Sequence, residues 1–156
     1  MTAITDLEVL LKSMSPELIE GNYVFCTVKG VQSDYFQLNP IATFREKEGL
    51  TLVLEESVAT KFQLDFDGVF SLITLSVHSS LEAVGLTAAF ATKLGSYGIS
   101  ANVIAGYYHD HIFVHKDKAE SATRILRLKI TKPLGAKYKK SDVIYVALGY
   151  CSPLSN

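Results

Sequence analysis

Leu7, Leu10, Leu11 and Met14 recur at i, i+3, i+4 and i+7, which predicts an amphipathic helix over Thr5 to Met14. Ser15-Pro16 ends that pattern, since proline cannot donate to a continuing helix. Gly21-Asn22 then leads into Tyr23-Val24-Phe25-Cys26-Thr27-Val28, a β-branched and aromatic run long enough for one strand. Pro40 and Gly49 bracket a hairpin, with strands at Ile41 to Glu46 and Leu50 to Leu54 joined by a charged turn. A short helix follows over Glu56 to Phe62. Asp65-Phe66-Asp67-Gly68 marks a break before Val69 to Val77, whose apolar density suits a strand buried on at least one face.

Ser79 and Glu82 stand in capping-box spacing, which predicts a helix starting at Ser79. Leu81, Val84, Ala88, Ala91 and Leu94 would form its apolar face, and Gly95 and Gly98 offer left-handed positions for its end. Ile99 to Gly106 and Asp110 to His115 read as a hairpin around Tyr107-Tyr108-His109, and Asp117 with Glu120 repeats the capping-box spacing ahead of Ala122, Ile125 and Leu126. The passage from Leu50-Thr51-Leu52-Val53-Leu54 into Glu55-Glu56 echoes that from Ile112-Phe113-Val114-His115 into Lys116-Asp117, a sign of an internal repeat. Beyond Leu128 the character changes: Lys129 to Lys140 carries five lysines with Pro133 and Gly135, before a strand-like Val143 to Leu148. This tail reads as an added strand after a linker, or as a poorly ordered extension.

A chain of 156 residues that is 48% hydrophobic and 20% charged can bury a core and is the size of one domain or two small interlocked modules. The net charge of −1 hides an asymmetry: residues 1–120 hold eight Lys/Arg against fifteen Asp/Glu, and residues 121–156 hold seven against one. An acidic body is a poor partner for nucleic acid, whose binding rests on clustered positive charge. The lysines of the tail read as solvated. No run approaches the roughly 20 apolar residues of a membrane span, and Asp6 and Glu8 stand where a secretory signal would be basic, so a cytoplasmic location is expected. Cys26 and Cys151 belong to no disulfide or zinc spacing.

The stretch from Ile73 through Val77, His78-Ser79-Ser80-Leu81 and Gly85 to Leu94, Gly98-Ile99 and Gly106 resembles the strand–loop–helix–strand core of an ACT domain, a small βαββαβ ligand-binding module. Gly85 takes the place of that family's early helix glycine, and Leu94, Gly98 and Ile99 that of its "Leu, then Gly-Ile". With Gly21 to Val28 and Phe44 to Leu54 included, the chain is similar to short bacterial proteins built from two ACT-like modules, in the same wider fold family as the arginine sensors of animals. The resemblance implies an α+β fold of ferredoxin-like modules, antiparallel sheets with helices on one face. It divides the chain into residues 1–68, 69–128 and a tail, 129–156, which has no counterpart in the family. It further implies a small-molecule ligand, an amino acid by family habit, a sensor or regulatory role, and a homodimer. The alternative is an interaction or scaffold module with a vestigial ligand site.

The ligand site so implied lies at the loop between first strand and first helix of the second module. His78, Ser79, Ser80, Leu81, Val84 and Gly85 would form it, with Ile104, Ala105 and Gly106 as the opposite wall. A helix start suits a carboxylate, because its first N–H groups lack intrahelical partners. Capping by Ser79 accounts for the serines equally well. The family's Asp-Arg-Pro-Gly loop is replaced here by His78-Ser79-Ser80-Leu81, so its usual ligand does not transfer. His109, His111 and His115 share strand parity, yet His111 and His115 are about 13 Å apart along a strand, which disfavours a metal. A pH-sensitive or partner-facing patch with Tyr107 and Tyr108 suits them better than a metal, and plain solvated hairpin residues suit them better still. No nucleophile elbow, phosphate loop or zinc-protease motif occurs, so neither enzyme activity nor a cofactor is expected.

Overall fold

The computed structural model describes residues 9, 12–76, 85–128 and 145–146. Among the described residues eight strands form: β1 (Pro16–Leu18), β2 (Tyr23–Val28), β3 (Ala42–Arg45), β4 (Leu50–Glu55), β5 (Phe70–Leu75), β6 (Asn102–Ala105), β7 (Asp110–His115) and β8 (Tyr145–Val146). The α-helices are α1 (Glu56–Lys61), α2 (Leu86–Ser96) and α3 (Ala119–Arg127), with 3₁₀ segments at Gln32–Leu38 and Lys116–Lys118. Val9, Lys12 and Ser13 are helical, in keeping with the predicted N-terminal helix. The strands make one sheet in the order β3-β4-β2-β5-β7-β6-β8, with β1 also paired to β5. All pairs are antiparallel except β6 with β8. This is the mixed architecture of ferredoxin-like modules.

The register repeats between the two halves. β2 pairs with β4 from Tyr23↔Glu55 to Val28↔Leu50, and β5 with β7 from Phe70↔His115 to Leu75↔Asp110. β3 and β6 then pair with β4 and β7 in matching steps, Ala42↔Val53 and Asn102↔Phe113. The echo in the sequence is the passage out of these equivalent central strands, β4 into α1 and β7 toward α3. β2 and β5 meet at the single pair Tyr23↔Phe70.

β1 is absent from the sequence expectation. Pro16, expected only to end a helix, opens this strand, where a first or edge residue needs no N–H. β1 lies along β5 from Pro16↔Leu75 to Leu18↔Ile73. Ile19 N–H donating to Leu72 O and Ser76 N–H donating to Ser15 O, both 2.9 Å, extend the pairing. Residues 15–19, in the 1–68 segment, therefore hydrogen-bond to β5 in 69–128.

Strand alternation sorts the core. In the second half Ile73, Leu75, Ile112 and Val114 pack under Leu86, Phe90 and Leu94 of α2 and Ile125 and Leu126 of α3. In the first half Val24, Cys26, Leu50, Leu52 and Leu54 pack with Leu38 and Ala59. The intervening residues Tyr23, Val53, Leu72, Ile104 and Phe113 form a third cluster on the helix-free faces. There Phe113 meets Phe25 and Tyr23 edge-on, with centroids 5.2 and 6.1 Å apart, and Phe25 meets Phe70 at 5.4 Å. The two helix-free faces thus hold each other through aromatic contacts, each such pair contributing about 0.5–1.5 kcal/mol beyond its buried area.

The helix start expected at Ser79 lies outside the described residues; α2 runs from Leu86, headed by Gly85 at φ +94° with Ala89 N–H donating to Gly85 O at 2.9 Å. Glycine adopts this left-handed angle at little cost and takes the chain off the helical path. The buried face is accordingly Leu86, Ala89, Phe90, Ala91 and Leu94, with Ala88 half-buried. At the other end Gly98 takes the predicted left-handed position at φ +70°, whereas Gly95 lies within the last turn. Asp117, expected to cap α3, lies in the 3₁₀ segment before it, and α3 follows Lys118 without a side-chain cap. The Asp117 amide and carboxylate each lie 3.4 Å from His115 Nδ1.

Candidate functional site

β5 and β6 both run antiparallel to β7, so the chain must return along the sheet between them, and α2 makes that return. Eleven helical residues at about 1.5 Å each span roughly the length of the strands they cover. The start of α2 therefore lies at the end of the sheet where β5 and β6 finish and β7 begins, the row Leu75, Asp110 and Ala105.

Of the residues expected at the site, Gly85, Ile104, Ala105 and Gly106 are at this end, and His78, Ser79, Ser80, Leu81 and Val84 lie outside the described residues. The expected wall divides between two faces. Ala105 stands beside Leu75 and Asp110 on the helix side, while Ile104 is buried in the aromatic cluster of the other face. Gly106 opens the hairpin turn, its N–H donating to His109 O at 2.9 Å. A Cβ at Gly106 would lie 2.9 Å from His109 O and 3.1 Å from His111 Nε2, so the glycine permits a close approach by the protein's own chain.

Two polar residues at this end, Asp110 and Thr74, were not singled out from the sequence, and His111, read there as part of a histidine patch, stands beside Thr74. Asp110 is only 8% exposed, and burial raises its carboxyl above the ordinary carboxylate range, with His109 opposing that rise. Its antiparallel partner Leu75 belongs to the helix-side core, so Asp110 faces the side on which α2 starts. On the helix-free side Thr74 Oγ1 is 3.0 Å from His111 Nδ1. Burial, followed by the neighbouring His109, lowers the His111 imidazole below its ordinary value. The sequence signal for Asp110 was a lone carboxylate opening the strand Asp110–His115, whose centre is the apolar Ile112-Phe113-Val114. The equivalent first-half position is Leu50.

His111 and His115 sit at different positions along β7, one on Thr74 and the other beside Asp117 and Phe70, with ring centroids of His115 and Phe70 6.3 Å apart. Among the described residues no group of three or more His, Cys, Asp or Glu is placed to hold a metal ion. Cys26 is buried and unbonded to another cysteine. No helix among the described residues is long and apolar enough to cross a membrane.

The chain is 66% identical to a Vibrio cholerae protein of unknown function described as a possible transport protein, over 80% of this chain and 96% of that one, with a TM-score of 0.74. Similar folds at low identity occur in an Agrobacterium tumefaciens protein (15% identity, 72% of this chain and 86% of that one, TM-score 0.60) and in the regulatory subunit of aspartate kinase from Thermus thermophilus (8%, 75% and 97%, TM-score 0.56). No curated protein matches the chain. Two ACT-domain models match it in tandem, one at residues 2–71 and the other at 70–127, and with the repeated strand register they establish that the chain belongs to the ACT-domain family.

Proposed function

We propose that the protein is a small-molecule sensor or regulatory subunit without catalysis of its own, and that its ligand is an amino acid bound at the end of the second half where α2 begins. The observation that carries this reading is the placement of the α2 start, headed by Gly85, and the buried Asp110 at one end of the same half-sheet. The N–H groups of a first helical turn favour a carboxylate, and a carboxylate side chain favours an ammonium, so the pair suits the two charges of an α-amino acid. His78, Ser79, Ser80, Leu81 and Val84 precede Gly85 in the chain and complete the proposed site, with Ala105 and Gly106 beside Asp110. Ile104 supports it from the other face. Membership of the ACT family supports ligand-binding regulation over catalysis. The module boundaries we propose are 1–68 and 69–128, with residues 129–156 an appended segment of which β8 is the described part. The outer edge of β3 is open among the described residues and suits sheet-to-sheet pairing in a homodimer.

A second reading, an interaction module, draws on the hairpin tip, where Tyr107 and Tyr108 are 73% and 61% exposed with rings 4.9 Å apart. A thermal-shift screen against the twenty amino acids separates the readings. Ligand at a hundred times Kd stabilises the folded state by about 2.7 kcal/mol. A selective shift that is lost in Ser80→Ala, His78→Ala and Asp110→Asn supports the sensor. A shift retained in all three moves the site elsewhere, and no shift with any amino acid favours the interaction module.

A further inference from the structure

A cavity lies where the two halves meet at the connector 62–69 between α1 and β5, beside the Phe25–Phe70 contact. It is an open cleft of about 670 Å³, within the roughly 300–1,000 Å³ range of small-molecule sites. Four phenyl rings supply its walls: Phe25 of β2, Phe44 of β3, Phe66 of the connector and Phe70 of β5. Glu46, Asp65 and Asp67 also line it, and among the described residues of the lining there is no lysine, arginine or histidine. The Thr51 hydroxyl donates to Glu46 Oε1, which fixes that carboxylate beside β4. The negative field reaches inward, because Asp65 adds to burial in raising the Cys26 thiol above its ordinary value.

This combination selects among ligand classes. An anion would meet three carboxylates with no compensating charge among the described residues of the lining. A neutral apolar molecule would use the rings and leave the carboxylates unused. A cation on an apolar body uses both, since phenyl faces attract a cation by about 0.5–2 kcal/mol and carboxylates at the rim add direct pairing. We propose that this cleft is a second binding site, distinct from that at the start of α2, and that it takes a small organic cation with an apolar body, such as an arylalkylammonium. The two sites are at opposite ends of β5: Phe70 lines the cleft and Leu75 marks the other end, about 16 Å away at roughly 3.3 Å per residue. Because the lining is drawn from both halves, an occupant also bridges them.

The test titrates phenethylammonium, 2-phenylethanol and phenylacetate into the full chain by calorimetry, with amide NMR shifts to locate binding. The expected result is that the ammonium binds about tenfold more tightly than the alcohol, a 1.4 kcal/mol difference, and that phenylacetate does not bind. Shifts should centre on Gly68 and Asn102. Phe44→Ala and the double variant Asp65→Asn/Asp67→Asn should each weaken ammonium binding about fivefold or more, with melting temperature nearly unchanged because these side chains are exposed. Asp110→Asn should leave it unaltered, so failure here is separable from failure of the amino-acid site. Equal affinity for ammonium and alcohol, unchanged binding in both cleft variants, or no binding of the ammonium would overturn the proposal. So would a dimer that Phe44→Ala converts to monomer while no probe binds, because a second copy would then occupy the cleft.

Discussion

The two halves share one strand plan and differ in what lies on it. In both, a central strand pairs at the same register with two neighbours, and a four-residue turn closes the outer hairpin: Glu46 N–H donates to Gly49 O in one and Gly106 N–H to His109 O in the other. Over this plan the second half carries α2 with five buried residues and α3 with five. Among its described elements between β2 and β5 the first half has the 3₁₀ segment, with Leu38 its one buried residue, and the six-residue α1 burying Ala59. Strand pairing is therefore a common frame, and helix cover is where the halves have diverged. The polar substitutions follow that divergence, with Asp110 and His111 of the second half standing where the first has Leu50 and Thr51.

The sharpest break in the comparison is a deletion from the helix cover of each half. Phe90 is fully buried between α2 and the strands, so Phe90→Ala should cost about 3–5 kcal/mol in urea unfolding. Leu38→Ala should cost nearer 2 kcal/mol, because a short 3₁₀ segment can relax over the gap more readily than a packed helix. Equal losses would mean that the 3₁₀ segment is as firmly tied as α2.

The second test concerns the strand that the first half lends to the second. A chain starting at Gly21 leaves the β1 side of β5 unpaired and uncovers the buried Pro16 contact, with an expected loss of about 2–4 kcal/mol. Hydrogen exchange should report it at Ser76, whose amide is bonded to Ser15 O. Protection should change little at the β2–β4 amides. Loss of protection spread evenly over both halves would mean that they unfold as one unit and that β1 is not specific to the second.

Turn glycines offer a smaller, matched pair. A Cβ on Gly49 would meet Val28 O at 2.9 Å and Thr27 Oγ1 at 2.8 Å, and one on Gly106 would meet His109 O at 2.9 Å. In each case the obstacle includes backbone, so alanine should cost about 1–3 kcal/mol at either position by thermal denaturation. If only Gly106→Ala is costly, the difference lies in the His111 ring that closes over it.

What could be read in advance follows the same division. β2, β4, β5, the β6–β7 hairpin and α3 announce themselves by β-branched alternation or helical spacing, and their edges came within a few residues. β1 was hidden because three residues carry too little period and Pro16 reads as a breaker. The 3₁₀ segment was hidden because Val31, Tyr35 and Phe36 follow no helical stripe that buries more than Leu38. At Gly85 two rules competed: small-residue helical spacing ran through it, while its positive φ set the start of the described helix after it. Gly106 could be noted as a residue of close approach, but Asp110 and the Thr74–His111 pair depend on register across three strands, and register is a property of the folded sheet.

The finest distinction between the halves is pH. Burial raises the Asp110 carboxyl, so the neutral acid is the form the fold prefers: that contribution is fully present below the ordinary carboxyl value of 3.8 and is lost as pH rises through the raised folded value. His111 runs the other way. Its imidazole is lowered below 6.5, so its contribution is fully present above pH 6.5 and is lost as pH falls toward the folded value. Neither Leu50 nor Thr51 titrates in this range, so the pH response of this sheet end belongs to the second half. Asp110→Asn should raise the melting temperature at pH 7 by about 2–4 °C, the effect of roughly 1 kcal/mol in a chain of this size. His111→Thr, which copies Thr51, should flatten the fall in stability between pH 7 and pH 5. Calorimetric melts of both variants at those two pH values provide the check. A lower melting temperature for Asp110→Asn would show that the carboxylate is held by donors that outweigh its burial, and that this position is already paired before any ligand arrives.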